Sequence, residues 1–136
     1  MTVSYQPQIF AMAFLTFAVW LVMARARLRD IGSGRIQPGD LLLSATRGSK
    51  LSDLRSSDNL ANLFETPVLF YGCCLSASIK GLESPALAVT LWTYVILRCC
   101  HSWIHCFTYR IRARTNLYIL SCTCLLTAYI ILGLGS

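Results

Sequence analysis

Four long apolar stretches alternate with polar connections along the chain. No charged residue occurs from Met1 to Ala24, and the run Ile9 to Met23 is apolar except for Thr16. Leu60 to Ile79 forms a second stretch, interrupted only by Glu65 and Pro67. A third begins at Pro85 and reaches Thr108, with Arg98, His101 and His105 in its second half, and a fourth, Thr115 to Leu134, carries no charge. Crossing a bilayer as a helix takes about 20 predominantly apolar residues. Each stretch meets that length, so the pattern predicts an all-α, four-transmembrane-helix bundle in one domain, with spans near 5–24, 59–79, 85–108 and 115–134. Period-two alternation is absent from these runs, which excludes a lipid-spanning barrel. Pro67 removes one backbone donor from the second span, an interruption that neighbouring helices have to accommodate.

Composition agrees with that reading. The chain is 55% hydrophobic and 13% charged, against about 25% charged residues in soluble domains. Its net charge of +6 does not point to nucleic acid, because ten of the twelve Lys and Arg residues lie in just two connections. Arg25, Arg27, Arg29, Arg35, Arg47, Lys50 and Arg55 fall between the first and second spans, and Arg110, Arg112 and Arg114 between the third and fourth. By the positive-inside rule both connections face the cytoplasm and both termini lie on the opposite side. A secretory signal peptide places its positive charge before the apolar run, whereas here the arginines follow it, so the first span is expected to be retained. All seven cysteines fall inside predicted spans, where they read as small polarisable packing residues rather than as disulfides or metal ligands.

The one extended polar segment, 25–58, contains turn signals at Gly32-Ser33-Gly34 and Pro38-Gly39. No preceding strand and no Gly-Lys-Ser/Thr ending accompany them, so they read as turns and not as a phosphate loop. Leu41 to Leu43 are suited to the membrane interface, and Thr46 to Ser57 is polar. On the outer side the connection Lys80 to Pro85 is short, which makes the second and third spans antiparallel neighbours.

Ionisable groups within hydrocarbon are costly unless paired or hydrated, so each one marks a candidate site. Asp58, Asn62 and Glu65 are spaced i, i+4, i+7 on the second span; Arg98, His101 and His105 are spaced i, i+3, i+7 on the third. Each set lies on one face of a continuous helix. At about 1.5 Å rise per residue Glu65 and Arg98 come out at a similar depth below the cytoplasmic surface. An ion pair between them, acting as a clasp between helices, and direct contact of either with a ligand are both open. His101 and His105 could ligate a metal as an i, i+4 pair, but no further histidine exists to complete a site; hydrogen bonding to a polar or anionic ligand is the preferred reading. Arg110 and Arg114, also i, i+4, could bring planar guanidinium groups over the mouth of the same site.

The run Asn59 to Tyr71, with Asn62 and Glu65 at its core, resembles the second-helix signature of the MAPEG family, and Arg98 to His105 with Arg110 and Arg114 resembles its third-helix signature. Span number, order and topology agree as well, and the chain is most similar to the family's uncharacterised bacterial inner-membrane branch. The resemblance implies a homotrimer of four-helix subunits that binds glutathione between neighbours near the cytoplasmic face. It implies that Asn62 and Glu65 hold polar groups of the tripeptide, that Arg98, His101 and His105 line the pocket, and that Arg114, with Arg110 as the alternative, stabilises the glutathione thiolate. A cation beside a thiol favours the thiolate, which is the nucleophilic form.

Two departures bear on that expectation. Glutathione-using members similar to prostaglandin E synthase carry arginines where this chain has Asp58 and Ala61, and His105 stands where they have tyrosine. Either Arg25, Arg27 or Arg29 compensates, or the ligand differs. Two functions follow: a glutathione-dependent transferase or peroxidase acting on a lipophilic small molecule, or a nonenzymatic membrane scaffold or lipid-binding protein of the same fold. A small multidrug exporter would carry its glutamate in the first helix, whereas here it is in the second.

Overall fold

A computed structural model describes residues 4–37, 39, 51 and 54–135. The expectations for Leu41 to Leu43, Arg47 and Lys50 lie outside the described residues. Among the described residues five α-helices are present: α1 Gln6–Gly32, α2 Arg55–Asn62, α3 Thr66–Ile79, α4 Pro85–Phe107 and α5 Ile111–Leu134. With α2 and α3 taken as one interrupted crossing, four segments are long and apolar enough to span a membrane. The described residues contain no strand, and the chain is a multi-pass integral membrane protein with an all-α fold.

Helix ends follow local chemistry. α1 runs past Ala24 to Gly32, so Arg25, Arg27 and Arg29 are on helix. It stops where Gly34 takes φ +70°. Gly34 N–H then bonds Ile31 O at 2.9 Å and Arg35 N–H bonds Asp30 O at 3.1 Å, the paired contacts of a left-handed glycine terminus. Gly81, φ +61°, ends α3 in the same way. α4 begins with Pro85 behind Ser84, whose Oγ accepts from Leu87 N–H at 3.2 Å. Ser84→Ala is expected to lower stability by about 1 kcal/mol, the usual value of a side-chain N-cap, measured by unfolding in detergent.

The second crossing breaks at Leu63 to Glu65. Pro67 cannot donate to Leu63 O, and its ring disfavours helical geometry at the preceding residue. Glu65 takes φ −91°, ψ −96°, outside the helical region. The carbonyls at the end of α2 therefore need partners from another helix.

Helices in lipid gain little from burying apolar surface against one another, so association rests on close packing and interhelical hydrogen bonds. The interior holds Met12, Phe70, Cys73, Cys74, Leu87, Leu91 and Tyr94, all 0% exposed, with Phe70 and Tyr94 stacked at 4.9 Å between centroids. Interhelical bonds tie the bundle along its length. Tyr5 Oη–H donates to Leu82 O at 2.8 Å, Thr66 and Tyr94 hydroxyls meet at 3.1 Å, and Tyr129 Oη–H donates to Leu69 O at 2.9 Å. Gly72 permits that last contact, because a Cβ there would lie 3.2 Å from Tyr129 Oη. α4 and α5, joined by the short turn 108–110, share the most extensive contact. The outward faces are apolar, as with Phe10, Phe14 and Phe17 on α1. Cys73, Cys74 and Cys106 are packing residues, but Cys99 and Cys100 face outward; none of the seven cysteines is in a disulfide.

Candidate functional site

α2, α4 and α5 converge around a pocket of about 220 Å³, lined by Asn62, Glu65, His101, Arg114, Thr115 and Tyr118. Four residues singled out in the sequence thus meet at one place. The helix break supplies Asn62 and Glu65. α4 contributes His101, and the first turns of α5 contribute Arg114, Thr115 and Tyr118.

Arg98 lies beneath the pocket, wholly buried. It does not pair with Glu65. The sequence placed the two charges at one level, but the break redirects both: Arg98 Nη2–H donates to Asn62 O at 2.6 Å, while Glu65 Oε2 accepts from Tyr118 Oη–H at 3.1 Å. Asn62 O is at the C-terminal end of α2, where unsatisfied carbonyls and the helix dipole attract a cation. The interhelical clasp is real, but its acceptor is a backbone carbonyl. Arg98 Nε and Nη1 have no hydrogen-bond partner; the guanidinium carbon lies 5.2 Å from the Tyr118 ring centroid and 5.9 Å from that of Tyr94, within cation–π range. Among the described residues the one ion pair is Arg35 with Asp30, at 3.3 Å.

His101, 2% exposed, has Nδ1 3.0 Å from Arg114 O. A carbonyl can only accept, so Nδ1 carries the proton, and in the neutral ring Nε2 presents a lone pair. That Nε2 is buried without a partner. The contact also fixes the start of α5 against α4.

The remaining candidates are arranged around this centre. His105, 3% exposed, sits one turn from His101 with its ring edge-on at 5.5 Å and does not line the pocket. Arg110 is the exposed N-cap residue of α5, outside the lining. Asp58 is exposed and also outside it, since the break ends the helical face it would share with Glu65. Within the chain neither Arg25, Arg27 nor Arg29 reaches the pocket, and Arg27 donates to Ser57 Oγ at 3.2 Å. No group of three or more His, Cys, Asp and Glu side chains suited to a metal ion exists among the described residues.

Thr115 and Tyr118 were not apparent from sequence because they lie in an uncharged span. The available signal was spacing: Tyr118 is i+4 from Arg114 and shares its helical face.

The model of the MAPEG family covers residues 9–134 of the chain. No curated protein and no solved structure matches.

Proposed function

The chain belongs to the MAPEG family, and on that premise we propose that it is a glutathione-dependent transferase or peroxidase acting on lipophilic substrates that arrive through the bilayer. The observation that carries this reading is the convergence of Asn62, Glu65, His101 and Arg114 on one pocket at the start of α5.

The charges suit the tripeptide, which at neutral pH carries two carboxylates, one ammonium and one thiol. Arg110, Arg112 and Arg114 crowd the N-terminus of α5, which has no acidic residue in its first turn. Exposed N–H groups and the helix dipole already make that end positive. Three arginines there repel one another and the dipole, and an anionic ligand relieves the repulsion. Glu65, at the opposite wall, offers a carboxylate for the ammonium, and Asn62 and Tyr118 offer neutral hydrogen bonds. Arg114 beside the thiol would hold it as thiolate, the form that attacks an electrophilic carbon or a peroxide oxygen.

The volume favours assembly. About 220 Å³ is below the roughly 300–1,000 Å³ of sites that enclose a small molecule, so a neighbouring subunit of a homotrimer would complete the enclosure. Both basic connections would face the cytoplasm of a bacterial inner membrane, with the termini opposite.

A second reading, a nonenzymatic scaffold or lipid-binding protein, is favoured by Asp58 and Ala61, which stand where the family's glutathione-using members carry arginines. Calorimetric titration of the detergent-purified protein with glutathione separates the two. Saturable binding is expected, weakened about tenfold in Glu65→Gln, equivalent to about 1.4 kcal/mol. Absence of binding at millimolar glutathione by a folded oligomer would sink the enzyme reading and leave the scaffold.

A further inference from the structure

A second groove opens between α1 and α4, away from the polar pocket. These helices run parallel: Tyr5, just before α1, bonds the carbonyl of Leu82 just before α4. Leu15, Val19 and Val22 on one side and Cys99, Trp103 and Phe107 on the other enclose about 300 Å³. The wall is apolar, and Trp103 and Phe107 stand out from it, 66% and 55% exposed, with ring centroids 4.8 Å apart. Aromatic rings near a span's end are characteristic of the membrane interface.

At the cytoplasmic end the groove meets cations. α1 is helical for well over a turn beyond Val22, and Arg25 and Arg29 continue the stripe of Leu15 and Val22 at i+3 and i+7. Their Cα positions lie about 5 Å and about 10 Å beyond Val22 along the axis. Both are exposed, and among the described residues neither side chain makes a hydrogen bond or an ion pair. The neighbouring arginines differ, since Arg27 bonds Ser57 and Arg55 lies 4.7 Å from the Tyr109 ring centroid.

We propose that the α1–α4 groove is a binding site for an anionic phospholipid, one acyl chain lying between Val19 and Trp103 and the phosphate meeting Arg25 and Arg29. Hydrocarbon matches the wall, and a headgroup with net negative charge matches two cations at headgroup depth, each contributing to retention beside anionic lipid. A zwitterionic lipid fills the groove equally well but carries its own cation against the arginines. The site does not depend on the glutathione reading.

Native mass spectrometry of the full chain, titrated with phosphatidylglycerol or phosphatidylcholine, tests this. Phosphatidylglycerol is expected to bind at one per chain and at least tenfold more tightly than phosphatidylcholine. The double variant Arg25→Gln, Arg29→Gln should weaken phosphatidylglycerol about thirtyfold, from about 1 kcal/mol for each basic residue near an anionic lipid, and leave phosphatidylcholine unchanged. Val22→Trp, which fills the groove, should weaken both lipids, and circular dichroism checks that it folds; the exposed arginine pair keeps the test decisive if it does not. Equal binding of the two lipids, or an unchanged preference in the double variant, overturns the proposal. So does displacement of the lipid by free phosphate, which would mark a simple anion site, or by glutathione, which would assign the arginines to the pocket. Oxidative cross-linking of Cys99 between two copies, located by peptide mapping, would place a second copy of the chain in the groove and overturn it as well.

Discussion

Arg114→Ala is expected to lower glutathione-dependent turnover by about 10²–10³-fold, the usual cost of deleting one preorganised group that stabilises a developing or resident anion. The guanidinium lines the pocket from the first turn of α5, where it adds to the positive end of the helix dipole. On the proposed reading its loss should appear in kcat at saturating glutathione more than in KM, because the thiolate fraction would fall while Glu65, Asn62 and Tyr118 would still hold the tripeptide. Folding should survive, since His101 bonds the backbone carbonyl of residue 114 and not its side chain. Arg114→Lys, which keeps charge and loses the planar fork, should recover part of the rate. Turnover with a thiol-reactive lipophilic electrophile, alongside circular dichroism, provides the check. An Arg114→Ala protein with full kcat would remove Arg114 from thiolate stabilisation and leave Arg110 as the alternative.

Arg98→Ala is expected to destabilise the bundle by about 3 kcal/mol, through the cavity left by a wholly buried side chain and a stranded carbonyl at Asn62. Arg98→Met separates the two contributions. It keeps most of the volume and removes the charge, which is itself poorly satisfied: two of its nitrogens have no partner and no carboxylate pairs with it. Replacing a buried, incompletely paired ion by an apolar residue of similar volume is often near neutral, and interhelical hydrogen bonds in membranes average about 0.6 kcal/mol. The methionine variant should therefore unfold within about 1 kcal/mol of the parent in an SDS titration. If it were as unstable as the alanine variant, the charge and its hydrogen bond, and not the packing, would hold α2 to α4.

The contrast between these residues shows what could be read in advance. Asn62, Glu65, His101 and Arg114 were legible as a set because polar groups inside apolar runs stand out against their background. Tyr118 was not, because a tyrosine in an uncharged span has the same local signature as an interfacial anchor or a packing residue. The partner of Arg98 was not legible either. Helical spacing put Glu65 on a continuous face with Asp58 and Asn62, but the chain leaves helical geometry between Leu63 and Glu65, ahead of Pro67, which ends that face at Asn62, turns Glu65 towards Tyr118 and leaves the Asn62 carbonyl as the acceptor for Arg98.

By itself the sequence determined the number of membrane crossings, the all-helical class, the glycine turn after α1, and which polar residue types interrupt the apolar runs. These are properties of contiguous runs: length against bilayer thickness, the conformational freedom of glycine, and the cost of charge in hydrocarbon. The tertiary structure decided which of those residues share a pocket, how Arg98 and Glu65 are separately satisfied, and that α1 and α4 leave an apolar groove between them. Those outcomes depend on where one proline broke a helix and on how α4 and α5 packed across the break, and neither is encoded in the periodicity of any single span.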